Sequence, residues 1–144
     1  ESLPRPVFYH SLCENVGLLK LIPGTKRELV AFMMEHYDGI VVESFGVGGL
    51  PEYPGEEFYP VVQRAVERGK IVVMTTQVPN EGSDLSVYHV GGHLKSTLHL
   101  LEAFDMTTEA AVCKLMWILG QTRDFEQVRA LFNRPVAWDI LTQS

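Results

Sequence analysis

Residues 38–49, DGIVVESFGVGG, predict a β-strand that ends abruptly in a glycine-rich loop. The run from 40 to 45 is rich in β-branched residues, which is typical of a strand. In an open parallel sheet, ligands bind beyond the carboxyl ends of the strands, so the loop from 46 to 49 is a candidate ligand site. A tight turn that needs positive φ explains the same glycines equally well. The sequence therefore leaves two interpretations of this loop, a tight turn or a binding site.

Two further strand patterns flank this segment, and helices separate them. Residues 16–22 and 70–75 are short apolar runs of the kind that form strands. Thr25 and Glu28 have the spacing of a capping box at the start of one helix, and Gly69 has the position that ends the other. A β-α-β-α-β order predicts parallel strands joined by right-handed crossovers. We therefore predict an α/β fold, a small three-layer domain with a mainly parallel sheet of about four strands flanked by helices.

The second half of the chain is predicted to be mainly helical. Residues 87–90 indicate a short fourth strand. Three leucines after it are spaced as one face of a helix: Leu94, Leu98 and Leu101. Two better-marked helices follow, one capped by Thr107 and one by a capping box of Asp124 and Gln127. Cys113 lies in the apolar run of the first of these helices, and we expect it to be a packed core residue.

Length and composition limit the class of protein. A chain of 144 residues, 46% of them hydrophobic, suits one globular domain, and it has no apolar run of the roughly 18 residues that a membrane span needs. Its 12 basic and 18 acidic residues give a net charge of -6, which leaves no basic excess for nucleic acid or an anionic membrane. Two cysteines without CxxC spacing suit a reducing compartment. We expect a soluble cytoplasmic protein with neither nucleic acid nor membrane as a partner.

Motifs for catalysis, metals and cofactors are all incomplete. The loop 46–49 lacks the third glycine of a dinucleotide fingerprint, and no GxxxxGK[ST] or GxSxG motif occurs. The polar strand ends at 43–44 and 75–76 have no obvious base nearby in the sequence. Three histidines lack the spacing of a metal site: His89, His93 and His99. We therefore predict no catalytic residue, no metal site and no cofactor in this chain.

Four segments in a fixed order carry a family resemblance. They are residues 38–51, 76–77 and 81–91, followed by DMTTEAAVCKL at 105–115. Together they resemble the C-terminal domain of bacterial cytosolic-type (type I) L-asparaginases, over nearly the whole chain. The wider family includes the archaeal glutamyl-tRNA amidotransferase D subunit, which looks similar around residues 114–117.

This resemblance implies a two-domain amidohydrolase whose larger N-terminal domain carries two catalytic threonines, an aspartate and a lysine. None of those threonine motifs occurs here, so residues 1–144 would be the smaller C-terminal domain, inactive alone and without the catalytic N-terminal domain. In such an enzyme the small domain helps enclose L-asparagine, or a related small amino acid, for hydrolysis to L-aspartate and ammonia without a cofactor. The resemblance also implies a homodimer or homotetramer of the full-length protein, with the protein's own N-terminal domain as a further partner.

The resemblance also assigns the ligand-facing residues. Carried over by motif, the substrate or regulatory positions are Gly46, Gly48, Gly49, Thr76, Gln77 and Tyr88. Gly49 stands where relatives often have asparagine, which removes a side-chain amide. Glu43 and Val78 stand where regulated enzymes have arginine and cysteine, which argues against allosteric control by asparagine. Asp105, just before a helix, is expected to be structural.

Two other functions stay open beside the asparaginase domain. One is the D subunit of an archaeal-type glutamyl-tRNA amidotransferase, and the other is a non-catalytic module that binds a small amino acid at the same strand-end loops.

The chain begins with Glu1 rather than methionine, and residues 1–6 have no signal-peptide pattern. We therefore expect a fragment of a longer protein.

Overall fold

A computed structural model describes residues 7–45, 50, 52–76, 89–90, 93–94, 99–136 and 139. Its helices and strands follow in chain order: β1 (Val16–Lys20), α1 (Arg27–His36), β2 (Gly39–Ser44), β3 (Glu52–Tyr53), β4 (Glu56–Glu57), α2 (Tyr59–Glu67), β5 (Ile71–Thr76), β6 (His89–Val90), β7 (His93–Leu94), β8 (Leu100–Glu102), α3 (Thr108–Leu119) and α4 (Phe125–Asn133).

The centre of the fold is a four-stranded parallel sheet in the order β1-β2-β5-β8. The β3-β4 and β6-β7 pairs are small antiparallel ribbons outside this sheet. Residues of α1 and α2 pack on one face of the sheet, and residues of α3 and α4 pack on the other. The prediction of a three-layer α/β domain with about four mainly parallel strands is confirmed.

Strand β2 takes part in both hydrophobic cores because successive side chains of a strand point to opposite faces. Ile40 and Val42 pack with α1 and α2, whereas Val41 packs with α3 and α4. All three side chains are completely buried. Full burial of one such side chain contributes about 1.5–3 kcal/mol, so this strand stabilises both layers.

The predicted helix through Leu94, Leu98 and Leu101 is wrong. Leu94 lies in β7, and Leu101 lies in β8, where it is buried and pairs with Val73 of β5. Pairing with β5 satisfies the backbone of this segment and buries Leu101, and this outweighs the helical spacing of the leucines. The fourth strand of the sheet is therefore β8. Of the predicted strand 87–90, residues 89–90 form β6 outside the sheet, whereas 87–88 and Leu98 lie outside the described residues.

The start of α1 differs from the predicted capping box. The Thr25 hydroxyl accepts a hydrogen bond from the Ile22 N–H at 2.9 Å and donates to the Ile22 carbonyl at 2.8 Å, so it closes a turn. The N-cap is Lys26, without a side-chain cap. Instead, Glu56 accepts a hydrogen bond from the Arg27 N–H at 2.6 Å. This bond, helped by Lys26, lowers the pKa of Glu56. The cap comes from 29 residues along the chain, where sequence spacing cannot reveal it.

The other two caps follow the sequence more closely. Thr107 accepts a hydrogen bond from the Ala110 N–H at 3.2 Å, and Asp124 accepts one from the Gln127 N–H at 3.1 Å. Both N-caps are confirmed. The Gln127 side chain bonds to the Thr122 hydroxyl instead of reaching back to Asp124. Only the first half of this capping box is therefore present.

Two further predictions concern α2 and α3. Gly69 follows α2 with a φ of +85°, the left-handed conformation expected of a glycine that ends a helix.

Cys113 is exposed on α3, so its predicted place in the core is wrong. The helix instead buries Lys114, whose ammonium lies 2.6 Å from Asp139 Oδ2 and 2.7 Å from the Arg134 carbonyl. A buried cation needs such partners.

The segment before β1 runs along α3. The Cys13 N–H donates to the Met116 carbonyl at 2.9 Å, and the Gln121 amide donates to the Ser11 carbonyl at 2.7 Å. At Gly120 this backbone comes so close that a Cβ atom would overlap the Ser11 carbonyl group. The absence of a side chain at position 120 therefore allows the contact.

Asp38 links three parts of the fold at the amino edge of the sheet. Its carboxylate lies 3.2 Å from Arg123 Nη1 and 3.9 Å from Lys70 Nζ. A hydrogen bond from the Asn15 side chain, together with Arg123 and Lys70, lowers the pKa of Asp38 below its ordinary value of 3.8, while desolvation acts in the opposite direction.

We expect Gly120→Ala to destabilise the protein by about 1–3 kcal/mol, because backbone atoms must shift. The better helix propensity of alanine offsets at most about 1 kcal/mol of this loss. Urea unfolding measures the free energy of unfolding. The near-UV circular dichroism of Trp117 should also change, because Trp117 packs edge-on against Tyr9 in the segment that must shift. The control Gly69→Ala strains a positive φ elsewhere. It should reduce stability while leaving the Trp117 signal unchanged, and an unchanged signal in Gly120→Ala would contradict the prediction.

We expect Asp38→Asn to lower the urea midpoint at pH 7, and the difference from the native protein to shrink as the pH falls from about 4 toward 3. Because the pKa of Asp38 is lowered in the folded state, its stabilisation is present above the unfolded-state pKa and is lost as the pH falls through the folded-state pKa. Urea titrations at pH 7, 5 and 3 measure this. Glu126→Gln, which removes an exposed pair with Arg129, should have little effect. A difference for Asp38→Asn that does not depend on pH would refute the prediction.

Candidate functional site

Polar residues from three neighbouring strands meet at the carboxyl edge of the parallel sheet. The register places Glu43 of β2 beside Lys20 of β1 and Thr75 of β5. One position further, Ser44 pairs with Thr76. Ligands of open α/β sheets bind at this edge, which makes it the candidate site.

Glu43 is the centre of this edge. Its Oε1 atom lies 3.1 Å from Lys20 Nζ, and its Oε2 atom accepts a hydrogen bond from the Thr108 hydroxyl at 3.1 Å. The Glu43 side chain is 13% exposed, whereas that of Lys20 is 60% exposed. One carboxylate therefore connects β1, β2 and α3, and the lysine presents a positive charge to solvent beside it.

The end of a helix adds to the electrostatics of this cluster. Thr108 is the first residue of α3, so the Glu43 carboxylate lies near the N-terminus of a twelve-residue helix. The partial positive charge at a helix N-terminus favours a carboxylate by about 0.3–1 kcal/mol. Lys20 and the helix therefore both compensate the charge of Glu43.

Two hydroxyl groups at the same edge are buried. Ser44 and Thr75 are both almost inaccessible to solvent. The Ser44 hydroxyl lies 3.4 Å from the Phe45 carbonyl, which is long for a hydrogen bond between oxygens. These hydroxyls belong to the packing of the strand ends, whereas Lys20 is open to a ligand.

Thr76 is the one residue of the predicted ligand set that the structure describes. It is the last residue of β5, next to Ser44 of β2. The loops that follow these two strands therefore begin side by side at the carboxyl edge. The other members of the set lie outside the described residues: Gly46, Gly48, Gly49, Gln77 and Tyr88.

Sequence reasoning missed Lys20 and Thr108 as partners of Glu43. A carboxylate at the end of an otherwise apolar strand is a signal that a partner is nearby. Identifying Lys20 as that partner requires the register of β1 against β2, which residue spacing does not supply. Thr108 comes from a helix 65 residues further along the chain.

The described residues hold no group of three His, Cys, Asp or Glu side chains that could bind a metal ion. His89 and His93 lie in β6 and β7, and the His99 ring stacks on Phe125 with 4.7 Å between centroids. Among the residues that the structure describes, no helix is long and apolar enough to cross a membrane.

Comparison with known families and relatives gives a consistent result. Residues 15–132 match the sequence profile of the Glutaminase/Asparaginase C-terminal domain. An L-asparaginase from Thermococcus kodakarensis is 42% identical over 136 residues, which are 94% of this chain and 40% of that protein. The glutamyl-tRNA(Gln) amidotransferase D subunit of Pyrococcus horikoshii is 38% identical over 128 residues, 88% of this chain and 28% of that protein. This chain thus spans less than half of each of these relatives.

Solved structures show the same similarity. The thermostable L-asparaginase from Thermococcus kodakarensis superimposes with a TM-score of 0.77 at 37% identity, over 99% of this chain and 44% of that one. L-asparaginase I from Vibrio cholerae gives a TM-score of 0.66 at 27% identity, over 89% of this chain and 38% of that one. With its sheet, its helices and most of its sequence matched, this chain belongs to the glutaminase/asparaginase C-terminal domain family.

Proposed function

We propose that this chain is the small C-terminal domain of an L-asparaginase and helps enclose L-asparagine during its hydrolysis to L-aspartate and ammonia. The observation that carries the proposal is the unequal coverage of the T. kodakarensis L-asparaginase, 94% of this chain against 40% of that protein. A protein of that length has room for a larger N-terminal domain, which would supply the catalytic threonines. Residues 1–144 would then help to enclose the substrate without supplying the nucleophile.

The parent enzyme is proposed to be of the bacterial cytosolic type I kind. The similarity to L-asparaginase I from Vibrio cholerae supports this, while the T. kodakarensis enzyme shows that archaeal proteins share the domain. We further propose that the full-length protein is cytoplasmic and forms a homodimer or homotetramer.

The proposed division of labour follows from the chemistry of amide hydrolysis. A threonine hydroxyl of the N-terminal domain would attack the amide carbon, and hydrogen-bond donors would stabilise the developing oxyanion. No metal or organic cofactor is needed for these steps. This chain would hold the amino acid at its carboxyl edge, where the exposed Lys20 ammonium can attract a substrate carboxylate. We keep Gly46, Gly48, Gly49, Thr76, Gln77 and Tyr88 as proposed ligand positions.

Among the described residues, the arrangement that most resembles a nucleophile with its base is the Thr108 hydroxyl bonded to Glu43, which in turn pairs with Lys20. We interpret this cluster as structural, since both carboxylate oxygens are occupied and each contact joins a different element to β2. The first turn of α3 also favours the charged carboxylate. A fixed anion of this kind orients the edge and does not need to accept a proton.

A second candidate function is that of the D subunit of a glutamyl-tRNA amidotransferase. Such D subunits from several archaea are 33–38% identical to this chain over 128–140 residues, a consistent set of matches. The coding sequence before Glu1 separates the two candidates, because the D subunit requires an added N-terminal domain and a further partner protein. Calorimetry with L-asparagine tests the remaining alternative, in which tight binding by the isolated chain would indicate a non-catalytic amino-acid-binding module.

We expect the purified 144-residue chain to release no ammonia from L-asparagine above the buffer rate, because the proposal places the attacking threonine in the N-terminal domain. A coupled ammonia assay measures this, with Thr108→Val as the matched variant. If the native chain turns over L-asparagine and Thr108→Val abolishes this activity, the chain contains its own nucleophile and the proposal is wrong.

In the full-length protein, we expect Glu43→Gln to raise KM for L-asparagine by about tenfold with a smaller change in kcat. Without the Glu43 charge the Lys20 ammonium is no longer held at the edge, so we expect substrate and transition state to be bound more weakly alike, at about 1.4 kcal/mol for a tenfold change. Steady-state kinetics measure both constants. The control Glu109→Gln changes a carboxylate in the first turn of α3, next to the Thr108 partner of Glu43, and should leave KM unchanged. A loss confined to kcat would contradict the proposed enclosing role.

A further inference from the structure

We propose that Phe104 is a substrate-enclosing residue whose exposed ring forms an apolar wall at the carboxyl edge of the sheet. This role rests on the proposed function, because the ring would contact the L-asparagine that this edge is proposed to hold. The backbone of Phe104 is strained and its side chain is exposed. Strained residues of this kind cluster at ligand sites.

The backbone of Phe104 has a conformation that suits glycine. Its φ is +50°, and among the described residues no other residue except glycine has a positive φ. The Met106 N–H donates to the Ala103 carbonyl at 3.0 Å, which makes Phe104 the first central residue of a four-residue turn. Turns with positive φ at this position are dominated by glycine, asparagine and aspartate. A bulky residue is an outlier here, because its Cβ atom is crowded by the following carbonyl oxygen.

The residues on either side hold this turn in place. Ala103 is completely buried, and its N–H donates to the Met74 carbonyl at 3.0 Å beside the last pair of β8 with β5. Met106 is buried in the same core as Ala103, the one covered by α3 and α4. The Thr107 cap of α3 follows directly. These neighbours determine the backbone at position 104, but they do not require a phenylalanine there.

The Phe104 side chain contributes little to the packing of the described residues. It is 46% exposed, and it is not among the residues that pack in the two hydrophobic cores. Its ring makes no stacked or edge-on contact with another described aromatic ring. A glycine would suit the backbone better and expose less apolar surface. The ring is therefore better explained by a contact with a ligand than by the packing of the fold.

Phe104 lies at the same edge of the sheet as the candidate site. It follows β8 by two residues, and β8 is parallel to β5, so both strands end at this edge. Thr76, a proposed ligand position, is the last residue of β5. Thr108, which bonds to Glu43, comes four residues after Phe104, so the Cα atoms of 104 and 108 are at most about 14 Å apart. A ligand at this edge would cover part of the ring and remove apolar surface from water.

Two substitutions separate the strain of the backbone from the role of the ring. Phe104→Gly and Phe104→Ala both remove the ring, but only glycine relieves the positive φ. In the 144-residue chain, we expect the folding equilibrium constant of Phe104→Gly to be about fivefold larger than that of Phe104→Ala, because the strain of alanine exceeds the extra unfolded-state entropy of glycine. Urea unfolding measures both constants. Equal stability of the two variants would overturn the proposal, since position 104 would then carry no strain.

Steady-state kinetics of the full-length protein test the ring. We expect Phe104→Gly and Phe104→Ala each to raise KM for L-asparagine by about tenfold with little change in kcat, because a phenyl ring that the substrate covers is lost. Phe104→Tyr keeps the ring and should retain the native KM. The control Phe32→Ala removes a ring of similar exposure (54%) from the middle of α1 and should also retain it.

The outcomes distinguish the role of Phe104 from the proposed function. A native KM in both Phe104→Gly and Phe104→Ala would contradict the role of the ring and leave the proposed function intact. A KM that rises in only one of these two variants also contradicts it, because the effect would then follow the backbone. If the native full-length protein does not hydrolyse L-asparagine, the proposed function itself is wrong, and the role of Phe104 with it.

Discussion

The close packing of α3 on β2 is the constraint on which the rest of the structure depends. At Gly39 a Cβ atom would lie 2.7 Å from Leu119 Cδ1 and 3.0 Å from Leu115 Cδ2, so the strand and the helix meet without space for a side chain. On the other face, Ile40 and Val42 are covered by α1 and α2. With β2 enclosed on both faces, β1 and β5 can add only at its two edges. The three-layer arrangement follows from this enclosure.

The same strand delivers the candidate site. Because β2 is central, its carboxyl end lies between those of β1 and β5, and α3 begins beside it. Glu43 is therefore within reach of groups from two other elements, Lys20 and Thr108. Membership of the glutaminase/asparaginase C-terminal domain family and the position of this edge support the proposal that such a domain shapes a site whose attacking group lies elsewhere.

The sequence predicted the parts of the fold that local chemistry determines. The first three strands of the sheet, the caps at Thr107 and Asp124, and the end of α2 at Gly69 all follow from spacing and residue type. What escaped prediction depends on partners far along the chain. Strand β8 exists because β5 offers it an edge, and Glu56 replaces the cap expected from Thr25.

The candidate site shows the same limit. The carboxyl edge could be inferred from the strand order, and Thr76 lies there as expected. The Lys20–Glu43 pair requires strand register, and the exposure of Cys113 depends on which side of α3 meets the sheet. Periodicity locates a helical stripe, but the neighbouring elements decide where that stripe is buried.

The buried ammonium of Lys114 has a consequence for the extent of the folding unit. The family profile ends at residue 132, yet the partners of this lysine are the Arg134 carbonyl and Asp139. A polypeptide truncated after α4 would leave an unpaired cation beneath the surface, and breaking a buried pair in this way costs about 3–5 kcal/mol. Expression boundaries for this domain should therefore include Asp139, the carboxylate that neutralises this buried ammonium.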